Sequence, residues 1–263
     1  MGIYDSSRTR VVPVFDALMD RDPGGRTWLL PLLHLGSRSA GRLDEVATAA
    51  LLPGHPRWWG KNERRLDPPK SLLRWLVANA CAPASDALWG GPATRAKRER
   101  LVARDTETIN EALRLLETSA ATFRKWYVLE GRSQPDACLE ANTTLVVIEG
   151  KRTEHKATAV TTWMRSRSQM LRHMDAAWDI GGGKRVLGLM IVEGQGGADA
   201  TTPNNHWLTQ ANDQVLAETL ADSLPHRDPV ERNQIADGFL GVTTWQRVCA
   251  AFGLSWPPCR DTG

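Results

Sequence analysis

Between residues 105 and 193 the apolar positions change period from element to element, and each change predicts a structure. In DTETINEALRLLETS (105–119), Ile109, Ala112, Leu113 and Leu116 recur at helical spacing, and Asp105 or Thr108 can cap the start. KWYVLEG (125–131) is a short β-type run. PDACLE and TTLVVIEG are two further runs, separated by the turn-like Ala141-Asn142. A helix over roughly 163–180 follows, with the apolar stripe Met170, Leu171, Met174, Ala177 and Trp178, and the glycines at 181–183 end it. RVLGLMIVEG (185–194) is a continuous apolar run, as a buried strand requires. The expected order is helix, three strands, helix, strand: an α/β core over 105–200.

The flanks differ in pattern. Residues 1–104 read as helical segments broken by proline and glycine. RVVPVFDALM and TWLLPLLHLG are apolar with internal Pro, and LDEVATAALL (43–52) has helical spacing. In PPKSLLRWLVANA the prolines start a helix carrying Leu72, Leu73, Leu76 and Val77. CAPASDALWGGPATRA (81–96) is loop-like and marks a boundary. Residues 201–263 predict a helical C-terminal region packed on the core, with helices over 206–224, 229–240 and 243–253. No internal repeat is present.

Composition changes this picture little. The 263 residues are 24% charged and 41% hydrophobic, with a net charge of +3, ordinary for a globular protein. Clustering says more than the sum. RWWGKNERR (57–65), TRAKRER (94–100) and WMRSRSQMLR (163–172) bring Arg beside Trp, and 11 Trp stand against 2 Tyr. Such runs suit nucleic acid, although each also reads as core Trp beside a solvated charged face. The cysteines Cys81, Cys138, Cys249 and Cys259 form no C-x-x-C pair, so neither a zinc framework nor a disulfide scaffold is expected. Reduced thiols, the absence of a signal-type N-terminus and the absence of a 20-residue apolar run predict a cytoplasmic protein without membrane contact. MGIYDS matches the short M-G-x-x-x-S pattern without a second lipidation signal, and is read as chance.

Charge at 135–151 needs a reason, because an unpaired ion buried at a strand is costly. Side chains alternate along a strand, so Glu149 and Lys151 share a face. If PDACLE and TTLVVIEG pair antiparallel, Asp136 meets them at one sheet edge. This P-D…E-x-K pattern, with its apolar lead-in and following helix and strand, resembles the PD-(D/E)XK nuclease superfamily, which includes many restriction endonucleases. The resemblance covers about 105–193. The plain alternative is a structural ion pair of Lys151 with Asp136 or Glu149.

The resemblance implies a restriction-endonuclease-like core with helical N- and C-terminal additions, and a Mg²⁺-dependent nuclease hydrolysing DNA, with Mn²⁺ able to substitute and RNA not excluded as a substrate. By resemblance Asp136, Glu149 and the carbonyl of Gly150 hold the metal. Lys151 orients or deprotonates the attacking water and offsets transition-state charge. Many members add an acid from the first helix. Glu111 is the candidate, with Glu107 and Glu117 as rivals, and Thr108-x-x-Glu111 also reads as a capping box. Arg165, Gln169 and Arg172 recur on one face of the following helix and are candidates for phosphate contact. Some exonuclease branches carry Q-x-x-x-Y there; here His173 follows Gln169. Many relatives act as homodimers, which makes a second copy a candidate partner.

Other motifs fail. IGGGKR lacks the G-x-x-x-x-G-K-[ST] pattern, GQGG lacks G-x-G-x-x-G, and neither G-x-S-x-G nor H-E-x-x-H occurs. The competing reading is a non-catalytic nucleic-acid binding protein, either a nuclease-like fold without activity or a helix-turn-helix over 229–253, with Gly241 in the turn and Gln246 and Arg247 on its second helix.

Overall fold

The computed structural model describes residues 6–43, 50–83, 85–118, 125–152, 163–164 and 167–258. A π-helical turn, Ser7–Val11, leads into α1 (Val12–Arg21), and α2 (Leu29–His34) follows. Next come the short strand β1 (Trp58–Trp59) and helices α3 (Lys70–Ala78), α4 (Pro92–Val102) and α5 (Thr106–Thr118). Strands β2 (Ala137–Glu140) and β3 (Thr144–Lys151), helix α6 (Gln169–Ile180) and strand β4 (Arg185–Val192) form the middle. The chain closes with α7 (Asn205–Asp213), α8 (Ala217–Ser223), α9 (Pro229–Gly238), β5 (Phe239–Thr244) and α10 (Trp245–Phe252). The expected helix over 43–52 falls largely outside the described residues. Among the described residues no helix is long and apolar enough to cross a membrane.

The protein is α/β, with one open mixed sheet in the order β1-β2-β3-β4-β5. Strands β1, β2 and β3 are antiparallel neighbours; β3, β4 and β5 are parallel. Helix α6 makes the crossover from β3 to β4. A parallel pair needs such a connection, and both faces of the strand are then covered. All of β3 is accordingly buried. Its Val146 and Ile148 pack with α1, α2 and α10, whereas Leu145 and Val147 pack under α6 and the α7–α9 helices.

Several expectations change. KWYVLEG is not a strand: Tyr127, Val128 and Leu129 pack instead into a third cluster with α3, α5 and Trp163. The other neighbour of β2 comes from far upstream, through Trp58↔Cys138 and Trp59↔Ala137. The interval between α9 and α10 is not a turn. Phe239–Thr244 is strand β5, and Gly241, at φ 83°, sits where the pairing slips between Gly188↔Phe239 and Met190↔Val242. Only glycine takes such a backbone angle without strain, so it serves a bulge, and the helix-turn-helix expectation fails. The sheet therefore draws strands from all three expected regions, 1–104, 105–200 and 201–263.

Candidate functional site at the end of strand β3

The alternation of β3 carries Glu149 and Lys151 to the face covered by α6. Both are almost fully buried, at 3% and 5% exposure. Lys151 Nζ lies 2.7 Å from Glu149 Oε1 and donates to Gln169 Oε1 at 3.0 Å. Gln169 is the first residue of α6, whose N-cap is Ser168 accepting from Leu171 N. His173, one turn later, meets the other oxygen, with Nε2 3.0 Å from Glu149 Oε2. Its Nδ1 pairs with the buried Ser133 hydroxyl. A carboxylate only accepts, so His173 donates to Glu149 from Nε2.

The register Ala137↔Ile148, extended by one, sets Asp136 opposite Glu149. Asp136 Oδ2 accepts from Gly150 N at 2.8 Å. The next position, opposite Gly150, is Pro135, which has no N–H to give the Gly150 carbonyl. Lys151 O faces the other way, accepting from Glu193 N at 3.0 Å and Trp245 Nε1 at 3.2 Å. Gly150 is also a matter of space. A Cβ there would come within 2.8 Å of the Trp245 ring and 2.9 Å of Val11 Cγ2.

The two carboxyls are driven apart. Burial and the neighbouring Glu149 carboxylate push Asp136 up from 3.8 to about 8, with Glu63 adding to the rise and the Gly150 N–H and Lys151 opposing it. Burial acts on Glu149 in the same sense, but His173 and Lys151 outweigh it and hold Glu149 below the ordinary value.

Asp136, Glu149 and Lys151 thus come together at one strand end. Gln169 joins them through Lys151. Arg172 turns toward Glu130, with its Nε 3.7 Å away, and is mostly covered, although Glu149 lies within reach of its charge. Arg165 lies outside the described residues. Glu111 ion-pairs with Lys97 in the cluster of α3, α4 and α5, and Glu117 pairs with Arg74. Nor does Thr108 form a capping box with Glu111, since Asp105 caps α5 by accepting from Thr108 N at 2.9 Å. The further acid whose charge reaches Asp136 is Glu63, which accepts from Ser7 Oγ at 3.1 Å. Glu63, His173 and Ser133 were missed by the sequence reading. The only hint was His173 at the position four after Gln169.

A hard divalent cation suits this donor set. Two carboxylates and a carbonyl without a ladder donor are oxygen ligands, and Asp136 has no ion-pair partner among the described residues. Among the described residues no group of three or more His, Cys, Asp or Glu side chains gathers as a metal cage. An ion held here would keep several waters, as Mg²⁺ does. Compared with protein-family models, curated proteins and solved structures, the chain matches none.

Proposed function

We propose that the chain is a metal-dependent nuclease of the PD-(D/E)XK type, hydrolysing phosphodiester bonds of DNA with Mg²⁺, or with Mn²⁺ in its place. The observation that carries this reading is the convergence of Asp136, Glu149 and Lys151 around the Gly150 peptide. The parallel β3–α6–β4 unit beside antiparallel β2 supports a restriction-endonuclease-like core. Helix α5 packs away from the sheet, with α3 and α4, and so supplies no acid to the site.

Asp136, Glu149 and the Gly150 carbonyl would hold the ion. When bound, it supplies charge neutralisation to a phosphate and lowers the pKa of a water. The chain's own groups do the rest. Burial keeps Lys151 fixed between Glu149 and Gln169, so its charge is preorganised toward the reacting phosphate. His173 holds Glu149 in one rotamer and leaves it ionised. Rigid β3, clamped by Trp245 and Val11, fixes the spacing.

The test is cleavage of linear, circular and single-stranded DNA with Mg²⁺, Mn²⁺ or EDTA, by the wild type and by Lys151→Ala. Metal-dependent cutting that falls at least a hundredfold in the variant is expected, since one preorganised charge supplies roughly that factor. A folded wild type that binds DNA and cuts none of these substrates would replace this reading with the non-catalytic one.

A further inference from the structure

Near Asp136 lies a cleft of about 480 Å³, lined by residues 56–58, 60–63, 65 and 134. Its position follows from backbone register. Trp59 pairs with Ala137, so Gly60 stands next to Asp136 across the β1–β2 edge. Gln134 is two residues before Asp136, and Glu63 lines the cleft while its charge reaches Asp136. The cleft therefore runs along the β1–β2 edge beside Asp136.

Its cations outnumber its one acid, Glu63. Arg57 is neutralised at the rim, lying 3.3 Å from Asp16 and in contact with Asp20. Arg64, just behind the lining, covers one face of Trp58 at 4.2 Å and pairs with Glu140. Lys61 and Arg65 differ: both are exposed, and neither has an ion-pair partner among the described residues. Asn62 and Gln134 add exposed amides to the same wall. Two unpaired cations with neighbouring amides recognise phosphate oxygens, not bases, because cations and amide N–H groups are the usual donors to the backbone. The Trp58 ring is taken by Arg64 on one face and by His55 edge-on at 4.9 Å, so it offers no open stacking platform.

We propose that this cleft seats the phosphodiester backbone of a DNA strand, through Lys61 and Arg65, and leads it into the Asp136–Glu149 site. The proposal rests on the nuclease reading for its direction, and on the cleft alone for its binding. It makes the contact independent of base sequence and gives the 57–65 segment, outside the β2–β4 core, a substrate-positioning role.

Binding of a fluorescent DNA 30-mer, duplex and single-stranded, is measured by anisotropy in EDTA across a salt series. The chains compared are wild type, Lys61→Gln/Arg65→Gln, and the control Lys70→Gln/Arg114→Gln, which removes the same charge from exposed positions elsewhere. The cleft variant should bind about tenfold or more weakly, because each loss is a charge-assisted contact. The slope of log affinity against log salt should become shallower by between one and two. Its unfolding midpoint should match wild type. A cleft variant that binds like the control, or a wild type that binds neither 30-mer, overturns the proposal. Lost binding in the cleft variant by a chain that never cuts would leave the cleft standing and remove the nuclease reading. Lys151-dependent cutting with unchanged binding in the cleft variant would do the reverse.

Discussion

Helix α6 is bordered by two sets of buried charge, and they are balanced in opposite ways. On one side Arg167, fully buried, lies 2.8 Å from Glu130 and 2.6 Å from Asp175. Asp175 also takes Arg227 at 2.8 Å and His226 at 3.1 Å, and Arg167 donates to the Ser223 carbonyl at 2.9 Å. Burial works against the Asp175 charge, but Arg167, His226 and Arg227 overcome it and hold the carboxyl well below its ordinary range. On the other side Asp136 faces Glu149 with Lys151 already committed to Glu149, and its pKa goes up to about 8. Both sets are buried and polar. Only in the second does a carboxyl, Asp136, stand without an ion-pair partner among the described residues. A self-neutralised cluster ties elements together, here α6 to the loop at 130 and to the segment 223–231. A cluster with a deficit is where the cation proposed above would sit.

The sharpest way to break this contrast is to damage the balanced side. Asp175→Ala leaves Arg167 buried with one of its two carboxylates, and removing one member of a buried pair costs about 3–5 kcal/mol. The melting temperature should fall by roughly 10 °C. Urea unfolding of the variant measures the loss directly. A cost under about 1 kcal/mol would mean that the cluster does not hold α6 to the C-terminal helices.

A smaller effect should come from the polar neighbour of the site. His173→Leu removes the hydrogen bonds to Glu149 and Ser133 and leaves one Glu149 oxygen and the buried Ser133 hydroxyl without that partner, at a cost of about 1–3 kcal/mol. His173→Gln retains a donor and should recover part of it. On the proposed reading both variants lower kcat more than they raise KM, and the glutamine variant keeps more of the activity. Equal activity in the two would assign His173 to stability alone.

How much of this was legible follows from the range of each signal. The runs TTLVVIEG and RVLGLMIVEG and the stripe of α6 are local patterns, so β3, α6 and β4 were readable, as was the shared face of Glu149 and Lys151. The placement of Asp136 needed one antiparallel pairing between adjacent segments, which the turn at Ala141-Asn142 signalled. Strand β5 was hidden because a short apolar run buried on both faces has no period to tell strand from helix, and Gly241 reads equally as a turn or a bulge. Strand β1 has two residues and pairs across about eighty positions, beyond any local pattern. KWYVLEG has strand composition and is buried, but in a helical cluster: tertiary packing decided over propensity. Glu63 and Ser133 reach the site only through the same long-range pairings.

The last distinction is one of pH, and the two regions should respond with opposite signs. Asp175 titrates below its ordinary value when folded, so its contribution is present above about pH 4 and lost as pH falls toward its folded value. Asp136 titrates above its ordinary value of 3.8, at about 8. The folded form then binds its proton more tightly than the unfolded chain does. Its contribution is complete below about pH 4 and declines as pH rises, until it levels off beyond about 8. Without metal, Asp136→Asn should therefore be more stable than wild type at pH 9 and lack this decline. A cation at the proposed site competes with the same proton, so the gain in melting temperature from Mg²⁺ should grow from pH 6 to pH 9 in wild type and vanish in Asp136→Asn. Melting curves with Mg²⁺ or EDTA at each pH give both readings without any cleavage assay. A Mg²⁺ gain that is independent of pH and survives in Asp136→Asn would show that the ion binds elsewhere, and that the charge deficit at Asp136 is not a cation's place.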